Sequence, residues 1–297
     1  MKKYIKIWSL IAFSLLLTNC SDDEAAAPLA DFQFLVDGTQ VTFNGTVANA
    51  DSIAWDFGDG STSNEEDPVY AYSDTGIFTV TMTVKGNNGS FTETKQVTIL
   101  PSTEILLTGG QARTEGKTWR IKSAYTGKEG AGAIDNELGL FLPSVDNLLN
   151  MVGLEDSYQD SFTFFHDGRY VVDNVDGQSL VGIVFAYLVY EPGTFSPSWD
   201  PNLVPLANAP YLPASDATWE LKRGDFTVET AMGPANFTDK TQLILGDYLG
   251  VKDLTALIIL KNITETTMNV AIGIHTEMDP SLYDKPTMLF HLTFESL

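Results

Sequence analysis

From Leu29 onward, apolar and polar side chains alternate with a period of two residues, and short turns interrupt the alternating runs. This period places every second side chain on one face of an extended chain, so it predicts half-buried β-strands. At least five such runs lie between Leu29 and Leu100, which predicts a small β-sandwich at the start of the folded chain. We therefore expect an all-β protein.

One stretch within these runs carries a long and specific pattern. The hexapeptide WDFGDG at 55–60 is followed by Pro68, Tyr70, Tyr72, Gly76, Phe78 and Val80. Over residues 28–100 this pattern resembles the PKD domain, an immunoglobulin-like module. The resemblance implies that Trp55 and Phe57 are core strand residues and that Asp59-Gly60 forms a hairpin turn, where glycine tolerates positive φ and aspartate accepts backbone hydrogen bonds.

The acids between Asp56 and Asp67 then belong to turns and to solvated surface, and we do not expect them to be catalytic. The sequence NEED at 64–67 leaves a Ca²⁺ ion open, because clustered carboxylates suit this hard cation. We assign the PKD-like domain to residues 29–100 and expect it to act as a spacer.

A larger unit, residues 105–297, is also rich in strand patterns. The apolar run LVGIVFAYLVY at 180–190 predicts a fully buried strand, and SVDNLLNMVG at 144–153 predicts a helix with Ser144 as N-cap. The order of GKTW, a central F-x-F-x-x-D-G-x-Y and TWEL resembles lipocalin-like and carbohydrate-binding C-terminal domains of Bacteroidetes lipoproteins. This resemblance implies a β-sandwich or a β-barrel, and the sequence leaves both open.

The first residues have the pattern of an export signal. Lys2, Lys3 and Lys6 precede the apolar run IWSLIAFSLLL, which ends at LTNC with Cys20, the single cysteine of the chain. This pattern resembles a bacterial lipoprotein signal over residues 1–19, which implies lipidation at Cys20 and a tether over 20–28. SDDE at 21–24 resembles the signal that directs lipoproteins to the cell surface. We therefore expect a lipid-anchored protein on the outer membrane.

Charge limits the partners that the chain can bind. There are 39 acidic against 17 basic residues, a formal net charge of −22. Loss of residues 1–19 would remove three lysines and no acid, which lowers the basic count to 14 and the net charge to −25. A surface with this much negative charge repels the phosphate backbones of nucleic acids. We therefore expect no nucleic-acid partner, and a neutral rather than an anionic ligand.

Patterns typical of catalysis are missing from the sequence. The chain has three histidines, His166, His275 and His291, but no G-x-S-x-G nucleophile motif. Neither a zinc-binding motif nor a phosphate-binding loop occurs in the sequence. Asp156 and Asp160 precede the strand SFTFF and suit either Ca²⁺ binding or a solvated loop. We expect no enzyme activity and no cofactor, with Ca²⁺ left open. Glycoside hydrolysis needs two carboxylates several ångströms apart, and the many acids of the chain leave this alternative open.

The stretch 186–213 points to a binding function. It holds six of the thirteen prolines together with several aromatic residues, and proline stiffening lowers the entropic cost of presenting a ring to a ligand. Indole and phenol rings stack on the apolar faces of sugars, whereas carboxylates and amides bind hydroxyls. The candidate ligand-binding residues are Trp199, Tyr211, Phe195, Asp200 and Asn202, and the alternative for the rings is packing against the core.

The sequence thus predicts a surface lipoprotein that binds polysaccharide without cleaving it. It resembles the accessory binding proteins that accompany starch-utilisation-type outer-membrane importers, which implies an importer complex as partner. Two alternatives stay open at this point. One is a glycoside hydrolase or lyase, and the other is an adhesion or structural protein that binds a protein partner.

Overall fold

The computed structural model describes residues 26–297 and separates into two compact units between Leu100 and Pro101. Both units consist mainly of β-strands, so the predicted all-β class is confirmed. The signal over 1–19 and Cys20 lie outside the described residues.

The first unit is a sandwich of two antiparallel sheets, in the strand orders β1-β2-β5 and β4-β3-β6-β7. Long, alternating strands form because every second residue is apolar and points between the sheets. The strands are β1 (Leu29–Asp37), β2 (Gln40–Ala48), β3 (Ser52–Asp56), β4 (Thr62–Ser63), β5 (Val69–Ala71), β6 (Gly76–Gly86) and β7 (Gly89–Ile99).

Aromatic packing fills the space between these sheets. Trp55 is buried, with ring centroids 5.1 Å from Phe32 and 5.4 Å from Phe43. Its indole Nε1 donates to the backbone oxygen of Glu65 at 2.9 Å, so the one polar atom of the ring is satisfied. Phe57 is buried as well. Trp55 and Phe57 are therefore core residues, as the sequence pattern implied.

The acids that follow Trp55 organise turns. An oxygen of Asp56 accepts from the Gly58 backbone N–H at 2.9 Å, and Asp59 accepts in the same way from Ser61 at 2.9 Å. The second carboxylate oxygen of Asp59 accepts from the Tyr70 hydroxyl at 2.7 Å. Gly60 adopts φ +95°, which an L side chain rarely adopts. These contacts are the turn chemistry that the sequence predicted for Asp59-Gly60.

Asp59→Ala tests this structural role. The substitution removes two exposed hydrogen bonds, so we expect the unfolding free energy of the first unit to fall by about 1 kcal/mol, measured by denaturant titration. Asp51→Ala, which alters another exposed acid of the same unit, should have no such effect. Unchanged stability in Asp59→Ala would contradict the turn role.

The second unit is built around a ten-stranded antiparallel sheet. Eight strands follow the order β12-β11-β8-β20-β19-β18-β17-β16, and β9 and β10 attach beside β20. A separate three-stranded sheet has the order β13-β15-β14. The strands are β8 (Lys117–Ile121), β9 (Gly130–Gly132), β10 (Leu140–Pro143), β11 (Ser161–Phe164), β12 (Tyr170–Asp173), β13 (Gln178–Gly182), β14 (Ser196–Pro197), β15 (Leu206–Pro210), β16 (Trp219–Thr230), β17 (Gly233–Leu245), β18 (Ile258–Ile263), β19 (Thr267–Ile274) and β20 (Met288–Ser296).

The two ends of the large sheet meet beside β12 and β16. Arg169 and Thr218 form an antiparallel bridge, the Tyr170 N–H donates to the Ala217 oxygen at 2.9 Å, and the Trp219 N–H donates to the Gly168 oxygen at 2.9 Å. The sheet therefore curls until its edges join there, which protects backbone groups that an open edge would expose.

Side chains on the inner face of this curled sheet form the main core of the unit. Trp119, Phe162, Phe164 and Phe294 are fully buried there, and Trp219 packs against the same cluster while partly exposed. The outer face carries a smaller apolar cluster that includes Ile259, Ala271 and Leu289, with Leu138 packed against them. Burial on both faces explains why β19 and β20 read as nearly continuous apolar runs.

Three short α-helices occur in the described part of the second unit: α1 (Thr103–Thr108), α2 (Leu148–Met151) and α3 (Ile183–Val189), with 3₁₀ turns at Glu155–Tyr158 and Pro280–Leu282. The predicted helix over 144–153 is thus reduced to α2, and its N-cap is Asn147 rather than Ser144. Asn147 has φ +55° and makes no side-chain capping bond. The absence of a capping bond favours a short helix.

The prediction of one buried strand over 180–190 was wrong. Residues up to Gly182 complete β13, and the chain then turns into α3. The first four residues of α3 are buried, whereas Tyr187, Leu188 and Val189 are exposed. A continuous apolar run has no period that distinguishes a buried strand from a buried helix, and tertiary packing decides between them.

Candidate functional site

The proline-rich stretch after α3 is held in place by backbone and side-chain hydrogen bonds. The Ser198 N–H donates to the Leu206 oxygen at 2.9 Å, and the buried Ser198 hydroxyl donates to the Val204 oxygen at 2.6 Å. The next residue, Trp199, donates its backbone N–H to Val152 at 3.0 Å. These bonds fix the turn over 198–206 against the segment that follows α2.

Trp199 is the most exposed aromatic side chain among the described residues, with 78% of its surface accessible. Its indole lies against Gly153, where a Cβ atom would come within 2.3 Å of Nε1. Gly153 also has φ +76°, so this position requires glycine for both space and conformation. One part of the indole therefore rests on the protein, and most of the ring surface faces solvent.

Two of the predicted polar partners lie on the same turn. Asp200 and Asn202 are exposed, and Asp200 Oδ1 accepts from the Asn202 backbone N–H at 3.2 Å. The Asp200 backbone oxygen also accepts from Val204 at 2.8 Å, which closes the turn. Trp199, Asp200 and Asn202 are thus three exposed residues of one turn, here called the Trp199 platform.

The structure places the other two predicted rings elsewhere. Phe195 is only 8% exposed and packs edge-to-face against Tyr187 at 5.1 Å, so its ring face is closed to a ligand, and the prediction for Phe195 is corrected. Tyr211 is half-buried, packs edge-to-face on Tyr248 at 5.4 Å, and donates its hydroxyl to Asp247 at 2.7 Å. Its contacts are those of a ring that closes the edge of the core.

An apolar cavity of about 260 Å³ lies beside the platform. Leu203 and Val204, from the same turn as Trp199, form one wall, and Val152, the backbone acceptor of Trp199, belongs to another. Sequence reasoning missed this cavity because its walls come from distant segments. The lining residues are Gly130, Ala131, Leu142, Pro143, Ser144, Val145, Leu148, Met151, Val152, Leu203, Val204 and Phe290.

The histidines occupy two different environments. His166 is exposed in a turn, whereas His275 and His291 are fully buried. His275 Nδ1 lies 3.2 Å from Asp253 Oδ1, and the other carboxylate oxygen accepts from the His275 backbone N–H at 2.9 Å. This pair fixes the chain before β18 to the end of β19.

His291 lies on the outer face of β20. Burial lowers the pKa of His291 to about 4, and the nearby Lys261 ammonium contributes to the shift. The imidazole is therefore neutral at pH 7, with Nδ1 accepting from Lys261 Nζ at 2.8 Å. Gly132 approaches the ring so closely that a Cβ there would lie 2.5 Å from Nε2.

Asp156 and Asp160, the acids before β11, also differ in environment. Asp156 is exposed, whereas Asp160 is 2% exposed and its Oδ2 has no hydrogen-bond partner. Burial raises the pKa of Asp160 to about 8, and the charges of Asp176, Asp173 and Asp156 add to the rise. Asp160 is therefore mainly protonated at pH 7. Across residues 26–297, no group of three or more His, Cys, Asp or Glu side chains is arranged to hold a metal ion.

Within the same described range, no helix is long and apolar enough to cross a bilayer. Lipidation at Cys20, which lies outside the described residues, stays a prediction.

Comparisons with known proteins bear on the first unit. Residues 25–100 match the family model described as PKD domain. Over 80 residues the chain is 39% identical to the pre-pro-metalloprotease PrtV of Vibrio cholerae, which is 26% of this chain and 9% of that protein. It is 43% identical over 68 residues to collagenase ColA of Bacillus cereus, which is 23% of this chain and 6% of that protein. The chain thus spans less than a tenth of these curated relatives.

Two solved structures are similar at low TM-scores. The PKD1 domain of Vibrio anguillarum Epp is 33% identical, and the match covers 27% of this chain and all of that domain at a TM-score of 0.25. A structure described under carbohydrate-binding modules of the β-sandwich superfamily is 13% identical and covers 92% of both chains at a TM-score of 0.27. The family match and the buried Trp55 and Phe57 agree, and residues 25–100 of this chain are a PKD domain.

Proposed function

We propose that this chain is a non-catalytic carbohydrate-binding lipoprotein whose second unit binds a neutral polysaccharide at the Trp199 platform. The observation that carries the proposal is the 78% exposed indole on a turn whose backbone is fixed by hydrogen bonds. Aromatic residues, tryptophan among them, are enriched at binding interfaces relative to the rest of the protein surface.

The chemistry of the platform suits a sugar. The flat indole offers an apolar surface for the C–H face of a pyranose, and the adjacent Asp200 carboxylate and Asn202 amide can bind its hydroxyls. Because the backbone of the turn is already ordered, little conformational entropy is lost when a ligand binds. The net charge of −22 favours a neutral glycan over an anionic one.

The remaining parts of the proposal follow the order of the chain. A lipid on Cys20 would anchor the protein to the outer membrane, facing the outside, and the PKD domain would separate this anchor from the binding unit. The protein would then capture glycan for a neighbouring outer-membrane importer. A lipid anchor holds a protein at the surface because each buried methylene contributes roughly 0.8 kcal/mol.

Affinity gel electrophoresis of the chain from Ser21 onward tests the binding proposal. We expect at least one neutral polysaccharide in the gel to slow the protein relative to a gel without glycan. No retardation by any member of a broad panel would overturn the proposal. Release of reducing ends by the purified protein would instead establish the hydrolase alternative. Recovery of a protein partner from solubilised membranes, without competition by sugars, would favour the adhesion alternative.

A further inference from the structure

The apolar cavity beside Trp199 is not explained by binding of a bare sugar. Its side chains are apolar apart from Ser144, so a saccharide hydroxyl placed against these walls would find few hydrogen-bond partners among them. An unpaired buried hydroxyl costs about 1–3 kcal/mol. The occupant that the cavity favours is therefore a hydrocarbon group.

The volume of the cavity and the charges near it limit the chemical groups that can occupy it. The cavity measures about 260 Å³, whereas an engineered apolar cavity of roughly 150 Å³ is enough to bind benzene. An aromatic ring or a short acyl chain thus fits. Asp146, next to the lining residue Val145, and Asp200, three residues before the lining residue Leu203, are both exposed acids, and their charge disfavours an anionic ligand.

The turn that carries the Trp199 platform also contributes to the lining of the cavity. Leu203 and Val204 follow Trp199 on the same closed turn, and Val152 both lines the cavity and accepts the backbone hydrogen bond of Trp199. The indole rests on Gly153, the neighbour of Val152. A ligand that covers the indole is therefore close enough to place a substituent in the cavity.

Resting on the proposed function, we infer that the ligand is a neutral glycan bearing an apolar acyl or aryl substituent, with a sugar ring on Trp199 and the substituent in the cavity. Such a ligand uses both surfaces at once. The cavity then selects substituted over unsubstituted sugars, because only the former bury hydrocarbon.

Calorimetric titration of the chain from Ser21 onward with methyl and hexyl β-glucosides tests this inference. Each buried methylene contributes about 0.8 kcal/mol, so even partial burial of the hexyl chain should tighten binding at least tenfold over the methyl glucoside. The hexyl glucoside should also displace the neutral fluorescent probe N-phenyl-1-naphthylamine at a concentration at least tenfold lower than the methyl glucoside requires.

Two cavity variants and one matched control locate the effect. Leu203→Asp and Met151→Asp alter lining residues that are 58% and 59% exposed, so the fold should tolerate them while the preference for hexyl glucoside disappears. Met232→Asp, at a hairpin tip with 97% exposure, should keep the preference. Thermal unfolding of each variant checks that the fold is intact.

Equal affinity for the two glucosides, or a hexyl preference that survives both cavity variants, would overturn the inference. If the affinity gel still shows polysaccharide retardation in that case, the proposed function stands and this inference alone fails. A hexyl preference that Trp199→Ala leaves unchanged, with no polysaccharide retarding the protein, would overturn both, because the cavity would then bind hydrocarbon without a sugar.

Discussion

Trp199→Ala is expected to abolish the retardation of the protein by its polysaccharide. Exposed tryptophans at the centre of binding sites commonly contribute 2 kcal/mol or more, which corresponds to a loss of affinity of about 30-fold or greater. The stability of the fold should not change, because 78% of the side chain already faces solvent. Affinity gels over a range of glycan concentrations measure the change.

Three further variants separate stacking from general effects. Trp199→Phe keeps a flat ring and should retain part of the affinity, and Leu212→Ala, at a 91% exposed position, should retain all of it. Gly153→Ala keeps the indole but displaces it, because the new Cβ would lie 2.3 Å from Nε1, so binding should weaken. Full affinity in Trp199→Ala would show that the glycan binds elsewhere.

Asp160→Asn is expected to stabilise the protein at pH 8 by several kcal/mol. The native carboxyl is buried with one unpartnered oxygen, and its pKa is raised from 3.8 to about 8. Between these two pH values the native state keeps a proton that the unfolded chain has released. Stability therefore falls as pH rises, by up to about 1.4 kcal/mol per pH unit. An asparagine amide has no such proton to lose.

The direction of this pH-dependent stabilisation by Asp160→Asn can be checked at low and at high pH. Below pH 4 both states are protonated, so the substitution should change stability little, and above pH 8 the advantage of the variant should reach a plateau. Denaturant titrations from pH 4 to pH 9 measure the difference, with Asp216→Asn as an exposed control. A difference between Asp160→Asn and wild type that does not vary with pH would contradict the raised pKa.

The sequence predicted the PKD domain well because its signals are local. Alternation with period two fixed which face of each strand is buried, and WDFGDG supplied both a core tryptophan and turn residues with positive φ at Gly58 and Gly60. The run at 180–190 was misread for the opposite reason. It has no period, so burial of α3 by neighbouring segments decided the conformation.

The candidate site was only partly predictable. Phe195 and Trp199 lie four residues apart in similar Ser- and Pro-rich surroundings, yet Phe195 packs into a core and Trp199 projects into solvent. What separates them is contact with partners distant in sequence, Tyr187 for the phenyl ring and Gly153 for the indole. The apolar cavity is lined by four segments that are distant in sequence, 130–131, 142–152, 203–204 and Phe290, and no local pattern joins them.

The most direct test of the account is the NMR signal of the Trp199 indole N–H in ¹⁵N-labelled protein, assigned by its loss in Trp199→Phe. Addition of a polysaccharide that retards the protein should shift this signal to saturation. The indoles of Trp55, Trp119 and Trp219 donate to backbone oxygens inside the protein, so their signals should stay in place. A Trp199 signal that does not move at saturating glycan would contradict the central claim.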